Sequence, residues 1–202
     1  MKLYYFPGAC SIAPHIIARE AGIALELEKV DLGSKRTAGG EDYLQVNPKG
    51  YVPALRLEDG SVLTEVSALI QYLADQAPGA GLIPPAGSIE RYRVLEWIGY
   101  IATEIHKGFG PLWNAKLAPE ARAAAVAALA RRLDLVEQVL SRQPFLTGPS
   151  FGVADAYLFT VASWAPWVKL DMAPWPKLRD FVARIGARPK VQEALAAEGL
   201  SE

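Results

Sequence analysis

Apolar and polar residues alternate along the chain up to about residue 77, and beyond it apolar residues recur every three or four positions. Alternation sends successive side chains to opposite faces of a strand, whereas the longer spacing lines one face of a helix. Lys2–Phe6 therefore predicts a strand, broken by Pro7 and Gly8, and a helix follows from about Ser11 to Gly22. Leu25–Leu32 predicts a second strand. Pro53–Glu65 predicts two short strands joined by Asp59-Gly60, a dipeptide suited to the positive φ angles of a type I′ hairpin turn. A short helix is expected near Glu41–Val46 and a longer one over Glu65–Gln76. The order β-α-β, then β-β-α, describes a small α/β layer.

APGAGLIPPAGS, at 77–88, is rich in Gly and Pro and reads as a linker. Beyond it Tyr92, Leu95, Ile98, Ala102, Ile105 and Phe109 form one helical stripe, and Val126, Leu129, Leu133, Val136 and Leu140 another. Further helices are expected over Val153–Trp164 and Trp175–Ile185, with a terminal piece starting at Pro189. The expected organisation is an α/β domain at 1–77, a linker at 78–88 and an all-helical domain at 89–202.

With 51% hydrophobic residues the chain can bury a substantial core. A formal net charge of −1 gives no electrostatic reason to expect a nucleic-acid or anionic-membrane partner. No apolar run approaches the ~20 residues that cross a bilayer, and the N-terminus lacks the layout of a signal peptide, so a cytoplasmic protein is expected. One cysteine and two histidines, His15 and His106, make no ordinary structural zinc site, and no metal is expected.

The one cysteine, Cys10, lies in FPGACSIAPH, between the first strand and the first helix. Free N–H groups and the positive end of the dipole at a helix start can lower a thiol pKa, which makes Cys10 a candidate reactive thiol; a lone cysteine also serves as a small buried hydrophobe. The position three residues on is Ala13, so no internal resolving thiol exists. Thr64-Glu65-Val66 opens a helical run, where a backbone N–H can bind a carboxylate. Helical spacing puts Gly99, Thr103, His106 and Gly110 along one side of a helix, with Lys107 adjacent. His15, inside the first helix, reads as structural, and Tyr5 as a packing or accessory residue.

Five segments together resemble the bacterial beta-class glutathione S-transferases: YYFPGACSIAPH at 4–15, VNPKGYVPAL at 46–55, LTEVSALIQYLAD at 63–75, TEIHKGFGPLW at 103–113 and FGVADAYLF at 151–159. The resemblance implies a thioredoxin-like N-terminal domain, an all-α C-terminal domain, a homodimer, and glutathione as co-substrate in the conjugation of small electrophilic, hydrophobic compounds. It implies detoxification chemistry with thiol-disulfide exchange through a mixed disulfide on Cys10. By the same resemblance Pro53 is cis, Val52 offers its backbone to the cysteinyl unit of glutathione, Glu65 and Val66 hold the γ-glutamyl end, and Lys35 reaches the glycine carboxylate. His106 is implied as a hydrogen-bonding and electrostatic partner of the thiolates, or a base, beside Lys107; the family's Asn and Ser are here Gly99 and Thr103. Gly152 stands where the family's capping box carries Ser or Thr, which leaves Asp155 to accept from N–H groups of the first turn.

Two other activities fit the same residues. One is a glutathione-dependent reductive dehalogenase or peroxidase; the other is a non-catalytic binding protein on the same fold. The presence of Cys10, Lys35, Val52-Pro53, Glu65 and His106 together favours an enzyme. Phe109, Trp113, Trp164 and Trp167 are candidates for an apolar second-substrate site, and aromatic residues at such spacing also form cores.

Overall fold

Residues 1–200 of the chain are described by the structure, a computed structural model. They divide into two compact units: Met1–Ile83 together with the stretch from Ala187 onward, and Pro84–Gly186.

In the first unit strand β1 (Lys2–Tyr5) leads to helix α1 (Ile12–Glu20) and strand β2 (Glu26–Asp31). A two-residue strand β3 (Arg36–Thr37) and a one-turn helix α2 (Tyr43–Val46) precede β4 (Ala54–Arg56), β5 (Val62–Thr64) and helix α3 (Val66–Asp75). The sheet order is β3-β2-β1-β4-β5. β1 runs parallel to β2 and antiparallel to β4, with Leu3 opposite both Leu27 and Leu55. Alternation along β1 sends Tyr4 to one face, where it clusters with Val30, Tyr43, Val46, Val52 and Ala54, and turns Leu3 to the other. Helices α1 and α3 pack on each other. The end of α1 needs its glycine: Gly22 takes φ +70°, and the Ile23 N–H reaches back to the Ala18 carbonyl at 2.8 Å.

The β4–β5 hairpin departs from the expected two-residue turn. The Leu57 N–H donates to the Ser61 carbonyl at 2.8 Å and the Gly60 N–H to the Leu57 carbonyl at 3.1 Å. Gly60 has φ +85°, while Asp59 stays at negative φ. The loop is thus three residues, Glu58-Asp59-Gly60, ending in a left-handed glycine. Asp59 works through its side chain instead, accepting from the Ser61 N–H at 2.9 Å and the Ser61 hydroxyl at 2.6 Å.

The second unit begins with α4 (Ile89–Tyr100), which continues as a π-helical stretch over Ile101–His106, a short α5 (Lys107–Phe109) and a 3₁₀ turn at Gly110–Trp113. Helices α6 (Pro119–Leu140), α7 (Val153–Ala162) and α8 (Pro176–Gly186) complete it. Every residue of α7 is buried, as suits a helix that is apolar nearly all round. Of the expected α6 stripe, Leu129, Leu133, Val136 and Leu140 are buried and Val126 half-buried. Along α4 the buried stripe is Val94, Ile98, Ile101, Ile105 and Phe109, whereas Tyr92 is 58% exposed and Leu95 half-buried. Two apolar stripes lie side by side there, and the one through Val94 faces the core.

Helix α9 (Pro189–Ala197) belongs to the first unit and packs on α1. Arg188 clasps Glu20 with two bonds, Nε to Oε1 at 2.7 Å and Nη2 to Oε2 at 3.0 Å. His15 Nδ1 meets Glu198 Oε1 at 2.9 Å, both side chains buried. The helical domain expected over 89–202 therefore gives up its last element, because amphipathic spacing carries no information about which neighbour a terminal helix meets.

Candidate functional site

Cys10 stands in the turn that joins β1 to α1. Ser11, the cap residue of α1, donates its hydroxyl to the Phe6 carbonyl at 3.2 Å and accepts the Phe6 N–H at 3.3 Å, which fixes the helix start against the strand end. Cys10 is therefore one residue outside the helix, half-buried, with its carbonyl accepting the Ala13 N–H at 3.3 Å. Its Sγ–H donates to the Val52 carbonyl at 3.4 Å. The Val52-Pro53 bond is cis and both residues are buried. The Val52 carbonyl, expected to face a ligand, is engaged here by the thiol.

The chain before Val52 is held from below. Tyr43 Oη and Asn47 Nδ2 both donate to the Tyr51 carbonyl at 2.7 Å. Burial pushes the Tyr43 pKa up to about 12, so the phenol stays a donor across the physiological range. Lys35, at φ +56°, donates its Nζ to the Gly50 carbonyl at 2.9 Å and lies 5.9 Å from the Tyr51 ring, itself 73% exposed.

Glu65 takes φ +75° ahead of α3. The Ala68 and Leu69 N–H groups donate to its carbonyl at 3.1 and 3.0 Å, so the helical ladder leaves out the N–H groups of Val66 and Ser67. The Val66 side chain is buried. Lys49 was not singled out from the sequence, yet its Nζ bonds Glu65 Oε1 at 2.6 Å and Thr64 Oγ1 at 3.0 Å. A loop lysine has no local signature, and only the fold brings positions 49 and 65 together. The first unit thus joins Cys10 to Val52-Pro53, Lys35 to the segment before them, and Glu65 to Lys49.

Gly99, Thr103, His106 and Lys107 lie in the second unit. Thr103 Oγ1 donates to the Gly99 carbonyl at 3.0 Å, so this hydroxyl is bonded within its own helix. Gly99 is exposed, and a Cβ there would meet nothing within 4 Å. His106 ends the π-helical stretch. Its Nδ1 is 2.7 Å from Tyr157 Oη, and its ring meets Tyr157 and Trp164 edge-on at centroid distances of 5.8 and 4.9 Å. Trp164 in turn meets Phe109 and Trp113 at 5.8 and 5.7 Å. Burial among these groups, with Lys107 adding to it, pushes the His106 pKa down to about 4. At that value the imidazole is neutral at pH 7 and free to take part in hydrogen bonds, with the Lys107 side chain next to it in the chain. Of the aromatic residues considered for a second-substrate site, Phe109 and Trp164 are buried, while Trp113 and Trp167 are 47% and 59% exposed.

Asp155 is fully buried at the start of α7. Its carboxylate accepts the Leu146 N–H and the N–H of the cap residue Gly152, each at 2.9 Å, together with its own N–H in the first turn. Burial pushes its pKa up to about 7 against the pull of those donors.

Among the described residues no group of three or more His, Cys, Asp or Glu side chains is placed to hold a metal ion, and no helix is long and apolar enough to cross a membrane. The model of the glutathione S-transferase N-terminal domain matches residues 9–76, and that of the glutathione S-transferase C-terminal domain matches 100–189. The chain belongs to the glutathione S-transferase family. It is 49% identical over 200 residues to the glutathione S-transferase GstA of Escherichia coli O157:H7, covering 99% of this chain and 100% of that one. A sphingomonad glutathione S-transferase complexed with glutathione superposes with a TM-score of 0.95 at 45% identity, covering 100% of both chains. The bacterial beta-class glutathione S-transferase of Sphingomonas chungbukensis does so at 0.95 and 44%, again over 100% of both. The mixed sheet with its helices and the helical second unit are the family's thioredoxin-like and all-α parts, as the sequence resemblance implied.

Proposed function

We propose that the protein is a glutathione-dependent transferase whose first unit binds the tripeptide and whose Cys10 forms a mixed disulfide with it. The observation that carries this reading is the Cys10 thiol bonded to the Val52 carbonyl at 3.4 Å beside the cis Val52-Pro53 bond, in a chain with no second cysteine. An extended peptide laid against Val52 would exchange main-chain hydrogen bonds with it, as an added strand does. The Val66 and Ser67 N–H groups at the start of the ten-residue α3 supply an anion site for the γ-glutamyl carboxylate, and Glu65 its ammonium partner. Lys35 supplies the cation for the glycine carboxylate.

In the exchange reaction the Cys10 thiolate attacks one sulfur of oxidised glutathione. The glutathione S–S bond breaks, a Cys10–glutathione disulfide forms, and one glutathione departs as thiolate, to be protonated by water. In conjugation the bound glutathione thiolate attacks an electrophilic carbon, forming C–S as the bond to the leaving group breaks. A neutral His106 can donate one hydrogen bond to a thiolate when the Tyr157 hydroxyl donates to Nδ1 and the ring proton sits on Nε2. By family likeness the protein is further read as a cytoplasmic homodimer.

Incubation with oxidised glutathione followed by intact-mass measurement tests the reading. The wild-type protein gains one glutathionyl adduct and Cys10→Ala none. A wild type that stays unmodified, and that also fails to bind immobilised glutathione, overturns it.

A further inference from the structure

Asn47-Pro48-Lys49-Gly50 forms a tight turn between α2 and β4, closed by the Gly50 N–H, which donates to the Asn47 carbonyl at 2.9 Å. Proline suits the second position of such a turn, and Gly50 takes φ +68° at its end. The Asn47 side chain, 2% exposed, braces the turn: its Oδ1 accepts the Lys49 N–H at 3.1 Å, and its Nδ2 bonds the Tyr51 carbonyl next to Val52. The backbone that carries Lys49 is thus tied to the segment leading into the cis Val52-Pro53 bond. From there the Lys49 side chain crosses to the end of β5, where its Nζ donates to Thr64 Oγ1 at 3.0 Å and to Glu65 Oε1 at 2.6 Å. Among the described residues the other oxygen, Glu65 Oε2, accepts no hydrogen bond. Both side chains of the pair are more than half exposed, so it adds little to the stability of the fold. Glu65 itself stands at φ +75°, a conformation that costs a non-glycine residue free energy and that collects at ligand clamps.

We propose that Lys49 is a positioning residue of the glutathione site: it holds one carboxylate oxygen of Glu65 and so presents the other, Oε2, to the ammonium of the γ-glutamyl unit. The proposal rests on the glutathione reading and adds to it a selection for a free α-amino group. An unanchored glutamate would lose its rotational freedom each time a ligand bound, and Lys49 removes that cost beforehand. Charges then alternate along the site, from the Lys49 ammonium through the Glu65 carboxylate, the ligand ammonium and the ligand carboxylate to the Val66 and Ser67 N–H groups at the start of α3. Repulsion between the two ammonium groups is screened, because the protein pair reaches water, so the gain in order decides the sign.

The test is calorimetric titration of the full chain with S-methylglutathione and with its des-amino analogue, in which a glutaryl group replaces the γ-glutamyl unit. Neither ligand has a thiol to join to Cys10. The wild type binds S-methylglutathione about tenfold more tightly than the analogue. Lys49→Met weakens S-methylglutathione by about three- to tenfold and the analogue by less than about twofold. Lys49→Arg, which keeps a cation within reach of Glu65, retains the wild-type preference. A lysine that only braced the fold would change both ligands alike. Equal losses, no loss, or a gain in affinity for S-methylglutathione, as follows if Lys49 merely competes for Glu65, overturns the proposal and leaves the glutathione reading standing. A wild type that binds neither ligand overturns both.

Discussion

Lys35, Lys49 and Glu65 hold their charges at the surface of the first unit, whereas His106 and Asp155 of the second sit among rings and buried backbone. The Lys49–Glu65 pair is the closer contact, at 2.6 Å, yet its side chains are 53% and 64% exposed, so water and salt screen most of its Coulomb energy. Asp155 is fully buried and held by backbone N–H donors, those of Leu146 and Gly152 at 2.9 Å among them. Distance alone therefore misorders these interactions: burial decides what breaking each one costs. It also decides protonation, since these two buried groups have moved far from their ordinary values in opposite directions, Asp155 up to about 7 and His106 down to about 4.

Asp155→Ala gives the largest effect. It orphans the buried Leu146 N–H and the part-buried Gly152 N–H, and urea denaturation should show a loss of about 2–5 kcal/mol. Next comes His106→Ala, which lowers turnover by about 10- to 100-fold, the worth of a hydrogen bond to a charged group, while glutathione affinity changes little. Unchanged turnover would leave His106 a packing residue. Tyr157→Phe, which strands the buried Nδ1, should cost about 1–2 kcal/mol in stability. Smallest is Lys49→Ala, expected to shift stability by less than about 1 kcal/mol and less still in high salt. A large, salt-independent loss there would erase the contrast between the units.

The two displaced pKa values make a sharper test. Asp155 titrates higher folded than unfolded, so its contribution to stability is present at low pH and is lost as pH rises from about 4 to about 7. His106 titrates lower folded than unfolded, so its contribution is present above about 6.5 and is lost as pH falls toward about 4. The slopes oppose each other over the shared window. Melting temperatures between pH 4 and 7.5 should therefore rise with pH in Asp155→Asn, relative to wild type, and fall with pH in His106→Phe. Parallel profiles for all three proteins would show that neither group titrates as its burial requires.

Much of this architecture is legible in one-dimensional pattern. Leu3, Leu55 and the α6 stripe obey alternation or helical spacing because burial acts on one face of an element at a time. The π-helical stretch escapes such reading, since Ile98, Ile101, Ile105 and Phe109 keep ordinary helical steps across it. The hairpin turn escapes for a different reason: Asp59-Gly60 serves a two-residue or a three-residue loop, and strand register chooses between them. At the candidate site, Cys10 and Glu65 stand out from their places at helix starts, whereas Val52 enters only through the family resemblance. Lys49 does not stand out, and neither does the neutrality of His106, because both depend on neighbours that the fold delivers from afar.

Helix α9 carries a consequence for how the protein is made. His15 and Arg188 find their partners 183 and 168 residues away along the chain. During synthesis the sheet, α1 and α3 emerge first, but the face of α1 that packs on α9 stays uncovered until Pro189–Ala197 has left the ribosome. The helical unit, a single uninterrupted stretch, has every residue it needs by Gly186. The part of the protein translated first is thus the last that can be finished, and a chain released before α9 would expose the apolar back of the helix that follows Cys10.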